Sequence, residues 1–274
     1  MKIIVTNDDG IEAEGVKALV RALRAPGREL IVVCPKTAQS GMSMAVTMGH
    51  KPIAVKKVSG GPEQWWYLDG TPASCVKYAI DNILFPQRPD LVVAGVNHGA
   101  NAATASVYSG TVGAAMEGAV NGIPSIAVSL DSFSPTADFS AVEELLPGVL
   151  ERLLPNMTAR HGAFYNINFP LLQSSAIKGV KVCRMGMGHW EKEYREFLPY
   201  LKEKDREPRP EDLEYIRNLE TGEDVVVMAG DFVSEEQETG NADHMLLAEG
   251  WITITPENID NTDYGEIDRL CAII

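Results

Sequence analysis

Along the chain, short apolar runs alternate with stretches in which apolar residues recur every three or four positions. In the first half this pattern predicts a strand over 2–6, a helix near 13–24, a strand over 29–34 and a helix near 72–84. It continues with a strand over 90–95, a helix near 110–121 and a strand over 124–129. The strand runs are nearly unbroken Val and Ile, as strands covered on both faces require. The expected fold is therefore α/β, a mostly parallel sheet with flanking helices. Residues 44–69 read as short strands, and Trp65 and Trp66 within them as packing residues. A helix near 138–154 and a strand over 163–169 follow.

The pattern then changes. Residues 189–224 are rich in charge and proline with aromatic residues interleaved, which reads as an extended arm or hairpin of the kind that contacts a partner subunit. After "DVVVMAGDFV" the chain is expected to return through a short helix near 241–249, a strand over 250–256 and a tail ending in apolar "LCAII". The expected division is a core over 1–183 and a C-terminal extension over 184–274 that forms one structural unit with it.

Composition narrows the partners. Lys and Arg number 24 against 38 Asp and Glu, a net charge of −14, which disfavours general attraction to nucleic acid or anionic lipid. An anionic substrate then needs a locally positive site. The cysteines Cys34, Cys75, Cys183 and Cys271 form no CxxC pair, the first strand is entered without a signal-peptide pattern, and no run approaches the ~18 apolar residues of a membrane span. A cytoplasmic protein with reduced thiols is expected.

Three polar segments follow predicted strands. "TNDDG" puts Asp8 and Asp9 side by side after the first, "QSG" brings Ser40 and Gly41 after the second, and "GVNHGAN" brings Asn97 and Asn101 after the strand at 90–95. In an open parallel sheet these carboxyl ends share one edge, where ligands bind. Carboxylates, a hydroxyl and an amide oxygen make a donor set for a hard cation, which would cancel the repulsion of the adjacent carboxylates. The competing reading has one Asp capping the helix near residue 13 and the other in solvent. In "YSGTVGAAMEG", Ser109-Gly110-Thr111 precedes a helix of small residues, an arrangement suited to an anion. Taken alone, these residues favour an ordinary Ser or Thr cap, with Gly113, Ala114 and Ala115 serving helix–sheet packing. There is no Gly-Lys-Ser/Thr and no GxGxxG after the first strand, and His50, His98, His161, His189 and His244 lack metal-ligand spacing. No role is assigned to His98.

Together "TNDDG" (6–10), "QSG" (39–41), "GTPASCV" (70–76), "GVNHGAN" (95–101), "YSGTVGAAMEG" (108–118), "NINFP" (166–170) and "NADHMLLAEGWITITP" (241–256) resemble the SurE family of nucleotidases. The resemblance implies a Rossmann-like core, a C-terminal extension exchanged between subunits of a homodimer or tetramer, and a phosphatase acting on nucleoside monophosphates. It implies Asp8, Asp9, Ser40 and Asn97 as ligands of Mg²⁺ or Mn²⁺, with Ca²⁺ able to substitute in a crystal. It also implies Asn101, Ser109, Gly110 and Thr111 around the phosphate. The sequence departs from the family pattern at Met44, at Ser74 and over Ala102–Ala105.

The reaction expected is hydrolysis of nucleoside 5′-monophosphates, with 3′-monophosphates and short polyphosphates as further substrates. Asp8 and Asp9 would act on an attacking water or attack directly to form a phosphoenzyme. The rival from another class is a sensor that binds metal and nucleotide without turnover.

Overall fold

The computed structural model describes residues 1–49, 52–58, 63–158, 160–237 and 240–274. Its strands are β1 (Lys2–Thr6), β2 (Glu29–Pro35), β3 (Val55–Val58), β4 (Gln64–Leu68), β5 (Leu91–His98), β6 (Ser125–Leu130), β7 (Ala163–Phe169), β8 (Val180–Val182), β9 (Gly188–Glu191), β10 (Tyr194–Glu196), β11 (Val226–Met228), β12 (Asp231–Ser234) and β13 (Ile252–Asn258). The helices are α1 (Glu14–Leu23), α2 (Pro72–Tyr78), α3 (Gly110–Val120), α4 (Ser140–Leu153), α5 (Phe197–Glu203), α6 (Pro210–Arg217), α7 (Asp243–Ala248) and α8 (Tyr264–Cys271).

The main sheet runs β3-β4-β2-β1-β5-β6-β7-β13-β8. Pairing is parallel from β4 through β7, while β3 and β13 lie antiparallel to β4 and β7. Side chains on a strand alternate between faces, so each central strand feeds two cores. Ile3 and Val5 pack with Leu19 and Leu23 of α1 and with Val142 and Leu150 of α4; Ile4, Ile31 and Val33 pack with Val76 and Ala79 on the other side. Each such fully buried aliphatic side chain contributes about 1.5–3 kcal/mol relative to exposure. α3 covers the sheet on the second face, where Val112, Ala115 and Ala119 meet Phe164.

The chain passes from β1 to β2 and β4 on one side and then crosses to β5 on the other. Strand order therefore reverses between β1 and β5, and their carboxyl ends flank the crevice where ligands bind in this architecture.

The expected strand at 90–95 continues to His98, and its pairing with β6 shifts register between Ala94 and Asn97. Gly95 lies at φ +134°, and a Cβ there would stand 2.2 Å from the Val128 carbonyl oxygen. Only glycine permits that approach, and the irregularity delivers Asn97 to the sheet edge. The expected helix at 72–84 is α2 followed by a wider turn over Ala79–Leu84. The apolar tail begins within α8, whose start is capped by the Asp263 side chain accepting from Glu266 N–H. Within the expected strand region 44–69, β3 and β4 form, while His50, Lys51 and residues 59–62 lie outside the described residues.

By internal contacts the chain divides into Met1–Gly186 with Thr239–Ile274, and Met187–Glu238. In the second unit β9 pairs with β12 and β10 with β11, both antiparallel, and Trp190 meets Phe232 edge-on. Tyr194, Leu198, Tyr215, Val226 and Met228 are exposed. Cys34, Cys75 and Cys183 are buried free thiols and Cys271 is an exposed one. Among the described residues no helix is long and apolar enough to cross a membrane.

Candidate active site

Asp8 leaves the end of β1 and is almost fully buried, yet among the described residues no cationic side chain stands within hydrogen-bonding range of it. Its Oδ1 accepts the Thr111 hydroxyl at 2.5 Å, and its backbone oxygen accepts Gln39 N–H at 2.7 Å. Burial pushes its carboxyl up to about 6, the Thr111 hydrogen bond opposes that, and the charge of Asp9 adds to it. Asp8 thus sits against the first turn of α3, not at the start of α1, whose N-cap is Ala13 with no side-chain cap. The capping alternative for Asp8 is not what the fold adopts.

Asp9 is partly exposed. Its Oδ2 accepts two N–H groups of His98, the backbone N at 3.2 Å and Nδ1 at 3.1 Å. Asn97 turns its amide NH₂ to the carbonyls of His98 at 3.3 Å and Gly99 at 2.8 Å. Its Oδ1 is thereby left as an acceptor. Ser40 is exposed in the turn after β2. The loop that carries it is held at both ends, by Gln39 on Asp8 and by Ser43, whose N–H and hydroxyl donate to the carbonyls of Tyr108 at 2.9 Å and Val107 at 2.8 Å.

These residues suit a divalent cation. The donors are two carboxylates, a hydroxyl and an amide oxygen; among the described residues no three His, Cys, Asp or Glu side chains gather as a metal site. That is the set of a hard cation. The floor beside Asp8 is also kept open: a Cβ on Gly110 would stand 2.9 Å from Asp8 Cβ and 3.0 Å from Asp8 Oδ2.

The first turn of α3 lies beside Asp8. Ser109 is its N-cap, with Oγ accepting Val112 N–H at 3.1 Å, so its oxygen is committed while its proton remains a donor. Thr111 spends its hydroxyl on Asp8. Gly113 does not serve helix–sheet packing: a Cβ there would meet the Ser43 carbonyl oxygen at 2.0 Å, so its role is to let α3 touch the loop of Ser40. The sheet contact falls to Gly118, against Val92 and Ser125.

Asn101 is held from three sides. Its N–H donates to Asn168 Oδ1 at 2.8 Å, its carbonyl accepts Asn166 Nδ2 at 2.7 Å, and its own Nδ2 donates to Ser129 Oγ at 2.8 Å. Two residues on, Ala103 takes a left-handed φ of +51° and donates its N–H to both oxygens of the fully buried Asp243, each at 3.0 Å. Asp243 also accepts Gly186 N–H at 2.9 Å. Glu257, beyond Asn166, accepts from it at 3.1 Å, and burial pushes its carboxyl up to about 7.

Asn166, Asn168 and Asp243 were given no role by sequence pattern. A signal exists for the first two: polar residues two apart in an otherwise apolar strand share one face and demand partners. For Asp243 no local signal exists, because its partner is 140 residues away in the chain.

Residues 3–192 match the family described as survival protein SurE. The chain is 37% identical to a 5′-nucleotidase SurE of Bacteroides fragilis over 98% of its own length and 95% of the relative's. It is 39% identical to one from Synechococcus, covering 98% and 96%. The crystal structure of the SurE protein from Aquifex aeolicus superposes with a TM-score of 0.78 at 28% identity, covering 99% of both chains.

Proposed function

The chain belongs to the SurE family, and from that membership we propose that it hydrolyses nucleoside 5′-monophosphates to nucleoside and phosphate with a divalent cation, Mg²⁺ or Mn²⁺. The observation that most supports this reading is Thr111, which lies in the first turn of α3 and donates to Asp8 at 2.5 Å. A cation site and an anion site then share a wall, as phosphoryl chemistry requires.

Asp8, Asp9, Ser40 and Asn97 would hold the cation, which when bound would polarise a phosphoryl oxygen and make a bound water more acidic. The chain's own residues do the rest. Gly110 N–H, the Ser109 hydroxyl and the Asn101 side chain hold phosphoryl oxygens, and the positive end of α3 favours their charge. These donors are fixed before substrate arrives, so they stabilise charge in the transition state without reorganising. Thr111 sets the Asp8 carboxylate through Oδ1, and Asp9 keeps one oxygen on His98. With those oxygens engaged, we assign the pair to ligation and to orienting a water, not to attack on phosphorus.

The test is phosphate release from 5′- and 3′-nucleoside monophosphates and short polyphosphate, with Mg²⁺, Mn²⁺ or chelator. Release from 5′-monophosphates that stops on chelation is expected; tight nucleotide binding without release would favour a sensor. Assembly into a homodimer or tetramer through the C-terminal segment belongs to the same proposal. Light scattering at micromolar concentration is expected to give a multiple of the 29.8 kDa chain mass, and a monomer would contradict it.

A further inference from the structure

We infer that His98 is a positioning residue whose side chain locks Asp9 in the orientation in which its remaining oxygen receives the cation. The inference rests on the proposed cation site. Both N–H groups that His98 offers to Asp9 reach the same oxygen, Oδ2, at 3.2 and 3.1 Å. A carboxylate only accepts, so Nδ1 carries the proton in this contact. Two donors on one oxygen fix the plane of the carboxylate and leave Oδ1 for a ligand. The carbonyl of the same residue accepts Asn97 Nδ2 at 3.3 Å. That bond belongs to the main chain and survives substitution, so the ring acts through Asp9.

The ring itself is seated. It meets Phe139 edge-on, with centroids 4.9 Å apart and planes at 82°, and it is mostly covered. A ligating carboxylate held by such an outer partner keeps its orientation when the cation leaves, and loss of outer partners typically lowers metal affinity about 10–100-fold. His98 is not assigned to the phosphate, so its removal acts through the ligands.

The experiment is titration of the full chain with Mn²⁺, following the free ion by paramagnetic resonance, for wild type, His98→Ala, His98→Asn and His98→Gln. His98→Ala is expected to weaken Mn²⁺ binding about 10–100-fold, and its kcat is expected to recover at saturating Mn²⁺. Asn carries an amide N–H close to the Nδ1 position and is expected to bind within a few-fold of wild type. Gln carries it nearer the Nε2 position and is expected to resemble Ala. Wild-type affinity in His98→Ala, or a kcat that stays lost at saturation, would overturn the inference. Should His98→Ala not fold, the Asn and Gln variants decide, and equal affinities would overturn it. A wild type that binds no Mn²⁺ would instead overturn the cation site beneath it, and is recognised before any variant is compared.

Discussion

Asp8→Asn is expected to abolish metal-dependent phosphate release and, at the same time, to make the metal-free protein harder to unfold at pH 8. The Asp8 carboxyl is buried, and its folded-state pKa of about 6 lies above the ordinary 3.8. The folded state therefore holds the proton more tightly than the unfolded chain. Stability from this group is fully present below about pH 4, is lost as pH rises through about 6, and is absent above that. The difference of roughly two units corresponds to ~3 kcal/mol. Asparagine is neutral throughout and keeps an oxygen for the Thr111 hydroxyl. In chelator at pH 8 the variant should melt about 5–10 °C above wild type, and the gap should close near pH 4. Adding Mn²⁺ should raise the melting temperature of wild type only. The native protein, in this account, tolerates a destabilised carboxylate because the cation requires it. Equal melting temperatures at pH 8 would contradict that.

Gly113→Ala is expected to damage the site without touching any proposed ligand. In an open helix, alanine would be favoured over glycine by about 1 kcal/mol. Here its Cβ would stand 2.0 Å from the Ser43 carbonyl oxygen and 2.4 Å from its carbon, both backbone atoms that no rotamer change can move. Overpacking of this kind costs about 1–3 kcal/mol, so the steric effect wins. Relief requires α3 and the Ser40 loop to separate. Ser43 is also bonded to Tyr108 and Val107, so the displacement reaches Ser109 as well as Ser40. Misplacement by about 1 Å lowers turnover on the order of 10²-fold. The check is kcat/KM together with the denaturant midpoint; an unchanged kcat/KM would show that the two segments move independently.

Much of this was legible in the chain. Val and Ile runs in β1, β2, β5 and β6 announce buried parallel strands, and the polar residues that end them fall at one sheet edge by topology alone. The Asp8-Asp9 pair declares itself through its repulsion. What the pattern could not reveal depends on contacts distant in sequence. β13 enters the main sheet antiparallel to β7, a placement that no local periodicity encodes. His98 looked like a bystander beside Asn97, because alternation along a strand sends neighbours to opposite faces; the backbone irregularity at Gly95 and the cover of Phe139 bring both to the same site. The division of labour in "SGT" was also hidden, since only the fold shows Ser109 serving as cap and Thr111 serving Asp8.

The most direct test of the central claim is the rate of phosphate release from a nucleoside 5′-monophosphate at saturating Mn²⁺, for wild type and for Asp9→Asn shown to be folded by its circular dichroism. Turnover is expected in wild type, none in chelator, and a loss of at least ~10²–10³-fold in the variant. Wild-type turnover in Asp9→Asn, or turnover unaffected by chelator, would contradict it.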